Sequence, residues 1–163
     1  MFDYGKELET IKSFLYEKCY CGDLAMVKKI VNENLESTLF LNMVCDIETH
    51  FYIINGIGTT KQKQDIMIFL KTCTPFDLNK NMGYALEMSV QKNDINLVNF
   101  LIHNGVKMEP GEDGILLYCA AEKNNYDMFF LLVNNGVELT ADVITDIKEL
   151  PLQGTLKYFF DRC

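Results

Sequence analysis

The chain has one arginine, two histidines and no apolar run of about 18 residues, and each shortage excludes something. Without such a run, no transmembrane helix is expected. The opening MFDYGKELETIK has no basic stretch followed by an apolar one, so no secretory signal is expected either. Arginine is the residue of bidentate phosphate and guanine recognition, and fourteen of the fifteen basic residues are lysine, Arg162 being the exception. Twenty-three acidic residues outnumber them and set a formal net charge of −8. A field of that sign repels phosphate backbones and anionic lipid, so neither nucleic acid nor a membrane surface is an expected partner.

The metal-ligating residues are equally unpromising. Cys19, Cys21, Cys45, Cys73, Cys119 and Cys163 are irregularly spaced, and Cys19-x-Cys21 is too tight for a zinc knuckle. No second Cys/His pair follows it, since the only histidines are His50 and His103. Reduced thiols in a cytoplasmic setting are therefore expected, with no metal and no other cofactor. Eleven Phe and eight Tyr supply ample bulk for a core, and 163 residues make one ordinary domain or one short repeat array. The excess of Lys, Asn and Ile fits coding from an A+T-rich genome.

Two segments align without a gap at a 31-residue offset, Tyr84–Val106 with Ile115–Val137. Leu86 meets Leu117, Ser89-Val90 meets Ala120-Ala121, Leu101 meets Leu132, and both close on Asn-Gly-Val. Each reads as two short helices parted by a polar break, at Lys92-Asn93-Asp94 and at Lys123-Asn124-Asn125, whose composition favours a turn. The second helix carries an apolar stripe, Ile95, Leu97, Val98, Leu101 and Ile102 in the first segment. Gly105 and Gly136 stand where a left-handed helix cap belongs. A similar outline runs through Leu15, Cys19, Gly22-Asp23-Leu24, Met26-Val27 and Ile30-Val31, with Asn34 in the cap position. Gln64–Leu70 supplies another second helix, whose first helix lies within Cys45–Ile57 and ends early at Gly56 or Gly58. A last pair, 141–150 and 153–161, is broken at Pro151. The pattern predicts burial of Leu86, Val90, Leu97, Val98, Leu101, Leu117, Ala121, Phe129, Leu131 and Leu132.

With its paired small residues Ala120-Ala121, its Gly22-Asp23-Leu24 turn and its His103-Asn104-Gly105 closure, the sequence resembles the ankyrin repeat. It departs from that family in its 31-residue period and in Ile115-Leu116-Leu117-Tyr118, which replaces Thr-Pro-Leu-His. The resemblance implies an all-α fold, a helical-hairpin solenoid of about five degenerate repeats. Residues 1–163 would form one repeat domain, with approximate repeats at 12–40, 41–78, 79–109 and 110–140 and a C-terminal cap at 141–163. It further implies a non-catalytic module that binds a partner protein through a concave face. On the alignment that face carries Asn81, Gly83, Gln91 and Lys92 in one segment, and Glu112, Gly114, Glu122 and Lys123 in the next. A Lys/Asn/Ile-rich, free-standing array is similar to those of large DNA viruses and intracellular bacteria, which implies inhibition of a host factor in the host cytoplasm.

Other readings place function elsewhere. Leu150-Pro151 before an amphipathic helix is similar to the F-box-like tail of some poxvirus ankyrin proteins, which implies a ubiquitin-ligase adaptor, although the usual acidic residue after Leu-Pro is missing. Gly56-Ile57-Gly58-Thr59-Thr60-Lys61 suggests a phosphate loop and hence a nucleotide or other small ligand, but it lacks the Walker spacing and ending. His50 and His103 have no nucleophile in an evident catalytic setting, and Glu112-Asp113 reads as a solvated turn.

Overall fold

The computed structural model of the chain describes residues 4–108 and 114–162. Among these residues it is all-helical, with eleven helices. No helix among them is long and apolar enough to cross a membrane. The chain divides into two compact units, Met1–Ala85 and Leu86–Cys163.

The first unit holds α1 (Tyr4–Cys21), α2 (Leu24–Asn34), α3 (Thr38–Val44), α4 (Ile47–Asn55), α5 (Thr60–Cys73) and the start of α6 (Lys80–Gln91). Helix α1 packs against both α2 and α4, and α2 against α5. Leu15 and Cys19 on α1, then Val27, Ile30 and Val31 on α2, recur at helical spacing and are buried. Burying five such groups is what holds short helices that would not persist alone in water. Between α1 and α4, Tyr16 stacks on Tyr52 with ring centroids 4.6 Å apart, and Lys12 pairs with Glu48 at 2.9 Å.

The second unit holds the rest of α6, then α7 (Ile95–His103), α8 (Gly114–Glu122), α9 (Tyr126–Asn134), α10 (Ala141–Lys148) and α11 (Gly154–Phe160). Helix α8 packs against α9 and α10, and α7 against α9. Nine of the ten residues expected in the core are essentially inaccessible; the exception, Leu131, is half-buried. Leu131 falls to one side of the stripe made by Met128, Phe129 and Leu132. Its counterpart 31 residues earlier, Phe100, is half-buried too.

Three helix-to-helix turns share one backbone solution. At Gly22, Asn93 and Asn124 φ is +76°, +59° and +50°, the left-handed region that only Gly and, at some cost, Asn enter readily. The next amide reaches back five residues each time: Asp23 to the Lys18 carbonyl at 2.9 Å, Asp94 to Ser89 at 3.0 Å and Asn125 to Ala120 at 2.9 Å. That same residue then caps the second helix, its side-chain oxygen accepting from Met26, Leu97 and Met128 respectively. Helices α7 and α9 end alike, with Gly105 and Gly136 left-handed and Val106 and Val137 donating to Leu101 and Leu132, each at 3.1 Å.

Elsewhere the chain departs from the pattern. Asn34 is not a left-handed cap: it is the last residue of α2, its Nδ2 donates to the Ile30 carbonyl at 2.8 Å, and Leu35 after it is right-handed. No reversal is needed there, because Ser37 caps a new helix at once, its Oγ accepting from Phe40. That helix, α3, has no counterpart in the sequence repeat and buries Phe40, Met43 and Val44. Helix α4 is the first helix expected within Cys45–Ile57, and it ends at Gly56.

Candidate functional site

Four of the positions expected from the alignment lie on the second unit, along the turns that join α6 to α7 and α8 to α9. Asn125 Nδ2 on the second turn donates to Asn93 Oδ1 on the first at 2.6 Å. Asn124 Oδ1 in turn accepts from the Gln153 amide just before α11, also at 2.6 Å. Two hydrogen bonds thus tie three successive turns into one edge, with the asparagine backbones already fixed by their left-handed conformation. This rigidity lowers the ordering cost of any contact made there.

Of the eight positions singled out from the alignment, Gln91, Lys92, Glu122 and Lys123 sit on this edge with exposed side chains. Gln91 is held along α6 by a 3.0 Å bond from its Nε2 to Glu87. The two glycines serve the fold: Gly83, buried inside α6, has a left-handed φ of +79° that suits glycine, and a Cβ on Gly114 would lie 2.6 Å from Val143 Cγ2 of α10. Glu112 and the Asn81 side chain lie outside the described residues. Alignment could mark the turns as polar, but it could not show Asn93 and Asn125 bonded to each other. The one available signal was asparagine recurring at both breaks. Charge is also unevenly shared. Residues 86–163 hold twelve acidic and six basic side chains, a net −6 of the chain's −8.

The rival sites are occupied by the fold. The Ile57 and Gly58 amides, which a phosphate would need, both donate to the Tyr20 carbonyl, at 2.9 and 3.4 Å. A Cβ on Gly56 would lie 2.2 Å from that same oxygen, so this glycine permits a backbone contact. Helix α11 buries Leu156 and Phe160, and its Phe160 and Phe159 rings stand edge-on to Phe129 and Phe130 of α9, at 5.5 and 5.2 Å. Its apolar face is therefore committed inside the unit.

His50 is buried, stacked on Phe76 at 4.3 Å, with Nε2 2.9 Å from the Asp77 carbonyl. Burial pushes its pKa below the usual 6.5, against the pull of the Asp77 and Asp46 carbonyls. His103 Nδ1 is bonded 2.7 Å from the Asn99 carbonyl one turn back. The described cysteines are free thiols, and burial pushes Cys19 up to about 12, far from a reactive thiolate. No group of three or more metal-ligating side chains comes together among the described residues.

Comparison of the chain with protein-family models, with curated proteins and with solved structures finds no match.

Proposed function

We propose that this chain is an ankyrin-like array of helical hairpins and acts as a non-catalytic protein-interaction module. In this reading the partner protein docks on the tied turns of the second unit and contacts Gln91, Lys92, Glu122 and Lys123. The observation that carries the reading is the turn geometry repeated at Gly22, Asn93 and Asn124, together with the Asn93–Asn125 bond. A left-handed residue followed by a capping residue recurs at the 31-residue repeat at Asn93 and Asn124, and the same geometry at Gly22 supports an array of like hairpins. A bond between neighbouring turns fixes their spacing and presents their side chains as one surface.

The acidic excess of residues 86–163 favours a partner with a basic surface, since complementary charge speeds encounter and rejects like-charged competitors. The resemblance to arrays of large DNA viruses and intracellular bacteria supports a host regulatory protein as that partner, met in the host cytoplasm.

The test compares the full chain with the double variant Lys92→Glu/Glu122→Lys as bait in a lysate, bound proteins being identified by mass spectrometry. These exposed changes should alter stability by less than about 0.5 kcal/mol. They should remove the principal bound protein, and the wild-type interaction should weaken as salt is raised. Asn134→Lys, at the far end of α9, is the control. A partner lost with the control and kept by the double variant would place the interface elsewhere.

A further inference from the structure

On the first unit, α1 and α2 leave a groove of about 340 Å³ between them, lined by Ile11, Phe14, Met26 and Ile30. Lys29 and Glu33 stand at its edge. Met26, Lys29, Ile30 and Glu33 follow the i, i+3, i+4, i+7 spacing and share one face of α2. Phe14 keeps 39% of its surface exposed beside them. The two charges are one turn apart, yet neither forms an ion pair or a hydrogen bond with any described residue. Lysine preceding glutamate is the weaker order for a pair along one helix, so both remain available to a neighbour.

We infer that this groove seats a second copy of the chain, with the two α2 helices antiparallel about a two-fold axis level with position 31, midway between Lys29 and Glu33. The surface is self-complementary in the way such an axis demands. Reversing the direction of α2 exchanges positions 29 and 33, so each Lys29 meets the other copy's Glu33, and the contact occurs twice. The Phe14 ring, with Lys18 Nζ 4.8 Å from its centroid, forms a partly exposed wall of that groove in each copy. An amphipathic helix from an unrelated protein could fill the groove, but nothing would require it to carry this charge order. The inference is independent of the proposed partner surface, which lies on the other unit.

Sedimentation equilibrium on the full chain tests it, through charge exchange. The wild-type chain should reach twice its 18.8 kDa mass with rising concentration. Lys29→Glu alone and Glu33→Lys alone each set like charges against one another at both contacts, and each should weaken dimerisation by roughly tenfold or more. An equimolar mixture of the two variants, and the double variant Lys29→Glu/Glu33→Lys, should both recover it. Phe14→Asp, at an exposed position, should abolish it while leaving the circular dichroism spectrum unchanged. A wild-type chain that stays monomeric into roughly the millimolar range overturns the inference and leaves the groove to another occupant. So does a dimer indifferent to both single reversals, or a mixture that fails to recover.

Discussion

Asn125 and Asn93 lie 32 residues apart in sequence and are joined by a 2.6 Å side-chain bond. Asn125 does two things at once, because its Oδ1 also accepts from the Met128 amide at 2.9 Å and caps α9. Asn125→Ala should therefore cost about 1–2 kcal/mol, most of it the lost cap. Asn125→Asp separates the two roles. Aspartate caps as well as asparagine does, as Asp94 does for α7, but it has no Nδ2 donor and sets a carboxylate against Asn93 Oδ1. Urea midpoints should rank wild type above Asn125→Asp and Asn125→Ala lowest. An aspartate variant as stable as wild type would show that the bond between turns adds nothing.

Ala120 and Ala121 are fully buried on α8, the helix that packs against both α9 and α10. Small side chains allow the close approach. Ala121→Leu should overpack the joint and lower stability by about 1–3 kcal/mol, read as a lower urea midpoint. An unchanged midpoint would mean that α8 does not need its small residues.

The second unit was largely legible because its two hairpins obey one rule twice. Leu97, Val98 and Leu101 reappear as Met128, Phe129 and Leu132, and Gly105 as Gly136, so each segment checks the other. The first unit offered no such check. Helix α3 is seven residues long, too short for a periodic stripe to stand out, and its capping Ser37 looks like any loop serine until Phe40 is seen buried. The candidate edge was legible only in part. Exposed positions such as Lys92 follow from the repeat, whereas the Asn124–Gln153 bond depends on where α11 begins, which the sequence pattern does not specify.

Gly56 is held by sterics rather than by its backbone angles, since φ −65° and ψ 163° suit any residue. A Cβ there would fall 2.2 Å from the Tyr20 oxygen and 2.8 Å from its carbonyl carbon, both backbone atoms with little freedom to yield. Gly56→Ala should cost about 1–3 kcal/mol and break the bonds from Ile57 and Gly58 to Tyr20. Ile57→Ala, next in sequence but 75% exposed, should change stability by less than about 0.5 kcal/mol. Equal effects of the two substitutions would show that the loop does not press on the end of α1.

His50 makes the first unit sensitive to pH. Its ring lies between α4 and the segment before α6, stacked on Phe76, with Nε2 on the Asp77 carbonyl and Nδ1 3.4 Å from that of Asp46. Lys80, whose Nζ donates to the Cys45 carbonyl, adds a positive charge nearby. Burial is the largest influence, and it lowers the folded-state pKa below the ordinary 6.5. Between that lowered value and 6.5, the unfolded chain binds more protons than the folded one. Stability from this residue is therefore fully present above pH 6.5 and is lost as pH falls through the window, with a slope of at most about 1.4 kcal/mol per pH unit. Urea midpoints measured from pH 7.5 to pH 5 should fall for the wild type, and most of that fall should be absent in His50→Gln. The variant should be less stable than wild type at pH 7.5, because it loses the ring stacked on Phe76, and the gap should narrow on acidification. A gap of constant size across the range would mean that His50 takes up its proton as readily in the folded chain as in the unfolded one.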